Sequence, residues 1–507
     1  MTRTAKLLLV PIVLLQMLFF AFVALHRFID GDEGFYLLAS KLVLMHKKPY
    51  LDFLYVQAPL LPYVYALWMK CFGISWNSVR IFSALLTTLL GTLLYEHVCR
   101  QTRNWLAGLS AVVLFASSAL VFAWFPVVKT PSLAGLFLFA AYAAVSRLSS
   151  TSPRWLFCAG GLLLGLSVDT RSYVLLLIPV FLWWIFHNSD TSNQLTSILC
   201  FFGGFIVGVA PSLFLFMSSP DAFLFDNLRY HAIRSSQGLI GWWQEKLVTV
   251  LQLFLGAQES NGLQWSILFF VSLGFVFSIR GRRYAPRLAF QIAITTGIIS
   301  LLPTPTLPQY FCLCVPFLIV SAVCGVNEFF TRLESRRERL VAAVACVFVL
   351  GIYLAASAND LREYLITGEG VPGLRLVHHK SDWRLQRVIE VSQAIDQIAS
   401  PGEMVASFWS GYIFQTKAVP SLGFEADYGL ALAEKLTLQQ RAWYHVLSPA
   451  EVESNFAAHV PRIVVLGNQQ VLGEQTRYTA ETSLRAHGYT LVRSIGDTSI
   501  YVYYSKP

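Results

Sequence analysis

The sequence predicts a polytopic α-helical membrane protein of about eleven transmembrane helices, followed by a C-terminal extracytoplasmic α/β domain. Composition is the first ground. Of 507 residues, 55% are hydrophobic and 13% charged, and the mean hydropathy is +0.56; a single soluble core is never this apolar. The second ground is spacing, because apolar runs of membrane-crossing length recur through the first 356 residues. The third is a change of texture from Ser357 onward, where apolar runs shorten and alternate with charged residues. The net charge of +9 is carried largely by Arg clusters in short loops between apolar runs, a positive-inside pattern that excludes nucleic acid as the partner. All eight cysteines lie in or beside apolar segments, from Cys71 to Cys346. No disulfide framework or zinc spacing is present.

Leu7 to Leu25 is the first crossing, with Arg3 and Lys6 before it. Phe22 blocks a small-residue cleavage pattern, so this reads as a retained helix rather than a signal peptide. An acidic loop follows, and the first outer loop extends over 26–75. Within it Ala58 to Cys71 is broken by Pro59 and Pro62 and reads as an interfacial helix. Further crossings are expected at Val79–Tyr95, Trp105–Ala123, Ser132–Val145, Trp155–Leu166, Tyr173–Phe186, Ile198–Met217, Leu263–Ser278, Ala289–Leu302, Phe311–Val326 and Leu340–Ala356. The loops holding Arg100 and Arg103, Arg147 and Arg154, Arg280 to Arg287, and Arg332 to Arg339 then share the N-terminal side, which makes that side cytoplasmic. The acidic loop, the loop after Met217, the Pro303–Tyr310 turn and the C-terminal region face outward. The chain therefore divides into a membrane domain over 1–356 and an extracytoplasmic domain over 357–507. Residues 382–398 have helical periodicity, while 403–408, 462–466, 491–495 and 499–504 read as strands.

Asp30, Asp32 and Glu33 stand where the first helix leaves the apolar layer. Acids there can simply solvate a helix end and cap the next helix. They can also act on a lipid-borne substrate held at the surface. After them come Pro49-Tyr-Leu-Asp-Phe-Leu-Tyr-Val-Gln-Ala-Pro-Leu, an apolar helix ending in Phe72-Gly73, and Arg80.

An N-in first helix, an Asp-Glu pair just beyond it and this following pattern resemble the GT-C membrane glycosyltransferases, on the branch of the protein O-mannosyltransferases and the lipid A aminoarabinose transferases. The resemblance implies a sugar taken from a polyprenyl phosphate on the outer face of the cytoplasmic (inner) membrane. It implies a lipid, glycan or protein acceptor, with membrane lipids around the protein. It places the catalytic carboxylate on Asp32 with Glu33 beside it, since the family pair is followed shortly by Tyr, here Tyr36; Asp30 is the near rival. A family His-x-x-Arg is matched by His231 to Arg234, with Arg229 adding charge nearby. Tyr310 matches a Tyr before a late helix, and Arg171 a basic residue between two middle helices. Two positions depart from the aminoarabinose transferases. Gln57 stands where they carry Lys, and Lys129-Thr130 where they tend to carry an acid, which implies a different donor sugar or acceptor.

Sugar transfer from a lipid phosphate needs a base for the acceptor hydroxyl and cations for the departing phosphate. Asp32 is the candidate base; Arg171, Arg234 and Lys129 are candidates for the phosphate. Asp52, between Tyr50 and Tyr55, either orders an acceptor or caps the next helix. No cofactor is required. A divalent cation is compatible with the carboxylates, but no ligand cluster demands one, and adjacent His378 and His379 read as solvated linker residues. A secondary transporter would also be helix-rich, yet repeat symmetry and paired broken helices are not seen. A non-catalytic envelope scaffold is the other alternative.

Overall fold

The computed structural model describes all residues except 1, 149–151, 189–193, 235–238, 257–260, 279–284, 375–379, 427, 468–473 and 505–507. Arg280, Arg282 and Arg283 of the basic loop, together with His378 and His379, lie outside the described residues.

Helices occupy every expected crossing, but their lengths differ from expectation. Among the described residues, four are long and apolar enough to cross a membrane: Arg3–His26, Trp76–Thr102, Pro308–Arg332 and Arg336–Thr367. A fifth arises if Gln194–Gly208 and Ala210–Ser218, bent by 59°, form one span. The expected eleven is not reached on length. The remaining apolar helices are cut short by breaks in the sequence itself: Ser117-Ser118 separates Trp105–Ala116 from Ala119–Trp124, and a 3-10 stretch over Ser172–Leu177 precedes Ile178–Asn188. A helix over Leu239–Leu255 was not expected. Trp242-Trp243-Gln-Glu-Lys246 masks its periodicity, yet Ile240, Trp243, Leu247 and Leu255 form an exposed apolar stripe while Lys246 and Thr249 are buried.

By contact the chain forms two compact units. The first comprises Met1–Ala24, Ser83–Pro211 and Gln237–Arg375; the second comprises Leu25–Phe82, Ser212–Ser236 and Leu376–Pro507. The first unit is a helical bundle around a continuous apolar core running from Phe20 to Leu374. Its tightest pair is Arg154–Thr170 against Gln194–Gly208. A Cβ on Gly161 would stand 1.8 Å from the Phe201 carbonyl oxygen, and one on Gly204 1.9 Å from that of Cys158. Backbone meets backbone there, the small-residue packing on which membrane helices depend.

The second unit contains a five-stranded sheet. Its strands are β1 (Met404–Ser407), β2 (Val419–Pro420), β3 (Ile463–Leu466), β4 (Thr490–Ile495) and β5 (Thr498–Val502), in the order β2-β1-β3-β5-β4. β1 runs parallel to β2 and β3, while β3–β5 and β4–β5 are antiparallel. The helix over Leu385–Ile398 and the four longer strands fall where the sequence pattern puts them. What the pattern does not show is that this sheet region shares a unit with the acidic loop. Lys41, on the Gly31–Leu44 helix, is buried and donates to the carbonyls of Ile413, Thr416 and Ala418 at 3.0, 2.8 and 2.8 Å. Three N–H groups meet three acceptors, so the buried ammonium is fully satisfied. Trp409 Nε1 donates to Gly31 O at 2.8 Å, and Ile29 N to Trp383 O at 2.7 Å. A Cβ on Gly34 would stand 2.5 Å from the backbone nitrogen of Gly411, so only glycine permits this approach.

Candidate active site

The three acids that follow the first helix have different fates. Asp30 is the N-cap of the Gly31–Leu44 helix: its Oδ1 accepts from Asp32 N at 3.1 Å, while Glu33 Oε1 accepts from Asp30 N at 2.9 Å, a reciprocal capping box. Glu33 is fully buried and gripped by Arg80, with Nη2 to Oε1 at 2.6 Å and Nε to Oε2 at 3.1 Å. Arg80 Nη1 also donates to Arg27 O at 3.1 Å. Burial alone would raise the Glu33 carboxyl, but the charges of Arg80 and Arg27 outweigh it and hold the group below its usual range. Glu33, expected to share the chemistry with Asp32, is thus the inner half of an ion pair. Asp32 differs from both. It is half-buried, and its Oδ1 accepts the hydroxyl hydrogen of Tyr428.

Aromatic packing sets the walls around that carboxylate's helix. Phe35 stacks on Tyr55 at 5.2 Å and 13°, and meets the edges of Tyr36 at 5.2 Å and Tyr428 at 5.0 Å. Tyr55 is fixed in turn by its backbone N–H, which donates to Asp226 Oδ2 at 2.8 Å. Asp226 is buried, and burial lifts its carboxyl well above the ordinary range despite that hydrogen bond. Tyr50 donates its hydroxyl to Gln57 O at 2.6 Å, so at Gln57 it is the backbone that is seen at work. His231 Nε2 lies 3.2 Å from Val56 O. Asp52 Oδ2 accepts from Lys48 N at 2.7 Å, which makes it a turn residue. Arg229 pairs with Asp221 at 2.8 Å with both side chains half exposed, and Arg234 is exposed.

Within the first unit a second cluster forms. Arg171 follows the Arg154–Thr170 helix in an extended conformation. Its Nη1 donates to Thr130 Oγ1 at 2.9 Å, and its guanidinium lies 4.6 Å from the Tyr173 ring and 5.3 Å from that of Tyr310. Lys129, the N-cap of the Thr130–Val145 helix, is buried with Nζ 4.9 Å from the Trp124 ring. Arg171, Lys129 and Tyr310, drawn from three segments, therefore share one neighbourhood of the first unit. His231 and Arg234 belong to the second unit. Among the described residues no three His, Cys, Asp or Glu side chains group as metal ligands.

The fold now meets known structures. ArnT from Cupriavidus metallidurans in its apo state matches with a TM-score of 0.69 and 13% identity over 98% of each chain. This is a GT-C glycosyltransferase fold. The same enzyme bound to undecaprenyl phosphate matches the GT-C fold of this chain with a TM-score of 0.65 and 12% identity, over 99% of this chain and 98% of that one. The model of the dolichyl-phosphate-mannose-protein mannosyltransferase family matches residues 56–215, a stretch that includes Arg80, Lys129 and Arg171 and begins after Asp32. No curated protein matches the sequence.

Sequence reasoning missed Tyr428 and Asp226. Tyr428 lies 396 positions from its partner, and no local motif marks it. Asp226 had little signal, since it closes the short apolar run Ala222–Phe225 and is followed closely by Asn227 and Arg229. The reading of the loop acids as caps matches the capping box of Asp30 and Glu33, but it does not include the ion pair of Glu33 with Arg80.

Proposed function

We propose that this chain is an integral-membrane glycosyltransferase that moves a sugar from a polyprenyl-phosphate donor to a hydroxyl of an extracytoplasmic lipid, glycan or protein, with Asp32 as general base. One observation carries the assignment: capping and ion pairing occupy Asp30 and Glu33, while Asp32 is half-buried at the helix start with a hydroxyl donor on its carboxylate. In the transfer the acceptor oxygen bonds to the anomeric carbon as its proton passes to Asp32. The bond from that carbon to the phosphate oxygen breaks, and its electron pair leaves with the polyprenyl phosphate. Arg171 and Lys129 are, on their chemistry, the candidate cations for a polyprenyl phosphate, because guanidinium and ammonium groups bind phosphate oxygens strongly. The fold supports the donor class, since a structure of the same fold holds undecaprenyl phosphate. The reading carries an orientation: N-terminus cytoplasmic, sheet region outside the inner membrane.

The test is direct. Full-length protein in lipid nanodiscs, given undecaprenyl-phosphate-linked sugars and an envelope extract, should release undecaprenyl phosphate and label an extract component. Release with none of a panel of donor sugars would overturn the proposal.

A further inference from the structure

We propose that Tyr428 is the positioning residue of the Asp32 carboxylate, which makes the sheet-bearing C-terminal region a working part of the acidic loop's chemistry. The inference rests on Asp32 being the base and goes beyond it, because it gives the C-terminal region a task.

The segment that carries Tyr428 is anchored on both of its flanks. Upstream, Ser421 N donates to Val405 O on β1 at 2.9 Å, and Phe424 packs edge-on against Phe408 at 5.2 Å. Downstream, Gly429 sits against the first outer loop, where an added Cβ would stand 3.4 Å from Leu54 Cδ2. Between these anchors the Tyr428 ring meets Phe35 at 5.0 Å and 74°. Phe35 is three positions beyond Asp32 on the same helix. The ring thus packs against the helix that carries the carboxylate its hydroxyl contacts.

The chemistry follows from the donor type. A phenol stays protonated at neutral pH and donates one hydrogen. Given to a carboxylate, that hydrogen favours the ionised form and fixes the plane of the group. A base must be ionised and correctly aimed before an acceptor hydroxyl arrives, and a donor on a ring fixed by packing narrows the directions the carboxylate can take. Tyr428 acts through Asp32; no step gives it a proton to transfer.

The experiment uses Tyr428→Phe in the full-length protein in nanodiscs, with undecaprenyl-phosphate-linked sugar as donor. The ring stays, so packing on Phe35 stays and the melting temperature should hold within about 3 °C. The expected result is a kcat lower by about 10-fold and a donor KM unchanged. The acid limb of the kcat/KM profile should move to higher pH, because the carboxylate has lost a hydrogen-bond donor. In an Asp32→Glu background, where the carboxyl is displaced by a methylene, Tyr428→Phe should cost less than in wild type, the non-additivity of residues acting as one. Unchanged kcat and pH profile alongside an inactive Asp32→Asn would overturn this inference and leave the function intact. Full transfer by Asp32→Asn, or none by wild type, would instead remove the functional reading and this inference with it.

Discussion

Arg80 and Glu33 form an ion pair from which water is excluded, with 0% side-chain exposure on both partners. The pair joins the start of the Trp76–Thr102 helix to the start of the Gly31–Leu44 helix. Arg80 also reads the carbonyls of Arg27 and Phe28, so one guanidinium fixes the whole entry to the acidic loop. A capping box and this pair together set the position from which Asp32 projects.

Glu33→Gln should therefore destabilise the fold. It leaves Arg80 buried without its counter-charge, which typically costs about 3–5 kcal/mol. Its pH dependence has a definite sign. The folded-state carboxyl titrates below its usual range, so the stability it supplies is present above the unfolded value of about 4 and is lost as pH falls through the folded value. Thermal unfolding of detergent-solubilised protein should show a lower midpoint for Glu33→Gln at pH 7 and a narrowing gap from wild type on acidification. A gap that widens toward low pH would refute the ion-pair account.

Asp226 has the opposite sign. Burial raises its carboxyl well above the ordinary range, so the folded state holds its proton more tightly. Stability then declines as pH rises from about 4 toward the raised value. Asn keeps an oxygen for the Tyr55 N–H and has nothing to titrate. Asp226→Asn should gain on wild type in melting temperature from pH 5 to pH 8, whereas Asp226→Ala should lose about 1–3 kcal/mol by orphaning that N–H. Equal differences at both pH values would show that Asp226 does not titrate there.

These residues mark the limit of what the sequence discloses. Apolar runs and their Arg-rich loops read as helices because hydropathy and helix period are local properties, and the strands of the sheet read for the same reason. Helix lengths read less well: Ser117-Ser118 and the Ser172–Leu177 turn interrupt apolar runs without changing their hydropathy. Asp32, the proposed base, was singled out from its place after the first helix. Tyr428, Asp226 and the triple-carbonyl seat of Lys41 were not, since each depends on a pairing across 171 to 396 positions that no period records. Arg234, chosen by resemblance, is exposed, and Arg229 is engaged by Asp221.

Arg171 offers the test of the phosphate cluster. Thr130 and the rings of Tyr173 and Tyr310 hold its guanidinium in place. Arg171→Ala should raise the donor KM by about 10- to 100-fold, the loss of one charge-assisted pair. Arg171→Lys should recover only part, since an ammonium lacks the planar fork. Binding of undecaprenyl phosphate, measured separately from transfer, should weaken in parallel. Unaltered binding in Arg171→Ala would return this residue to a structural role.

Asp32→Asn is the decisive variant, and the outcome follows from what the substitution keeps. Asn has nearly the same size, and its amide oxygen can still accept the hydroxyl of Tyr428, so the contact that ties the loop to the sheet region survives. The cap and the ion pair belong to Asp30 and Glu33 and are untouched. The protein should fold, melt as wild type does, and bind undecaprenyl phosphate normally. An amide cannot take the acceptor's proton, however, and removal of a general base costs about 10²- to 10⁴-fold in rate. Asp30→Asn should be milder, about 1 kcal/mol in stability at most, because Asn is itself a good N-cap. Transfer and donor binding assayed side by side on the two variants separate the roles. An active Asp32→Asn beside an inactive Asp30→Asn would move the base to Asp30, and activity in both would leave the acids of this loop as caps alone.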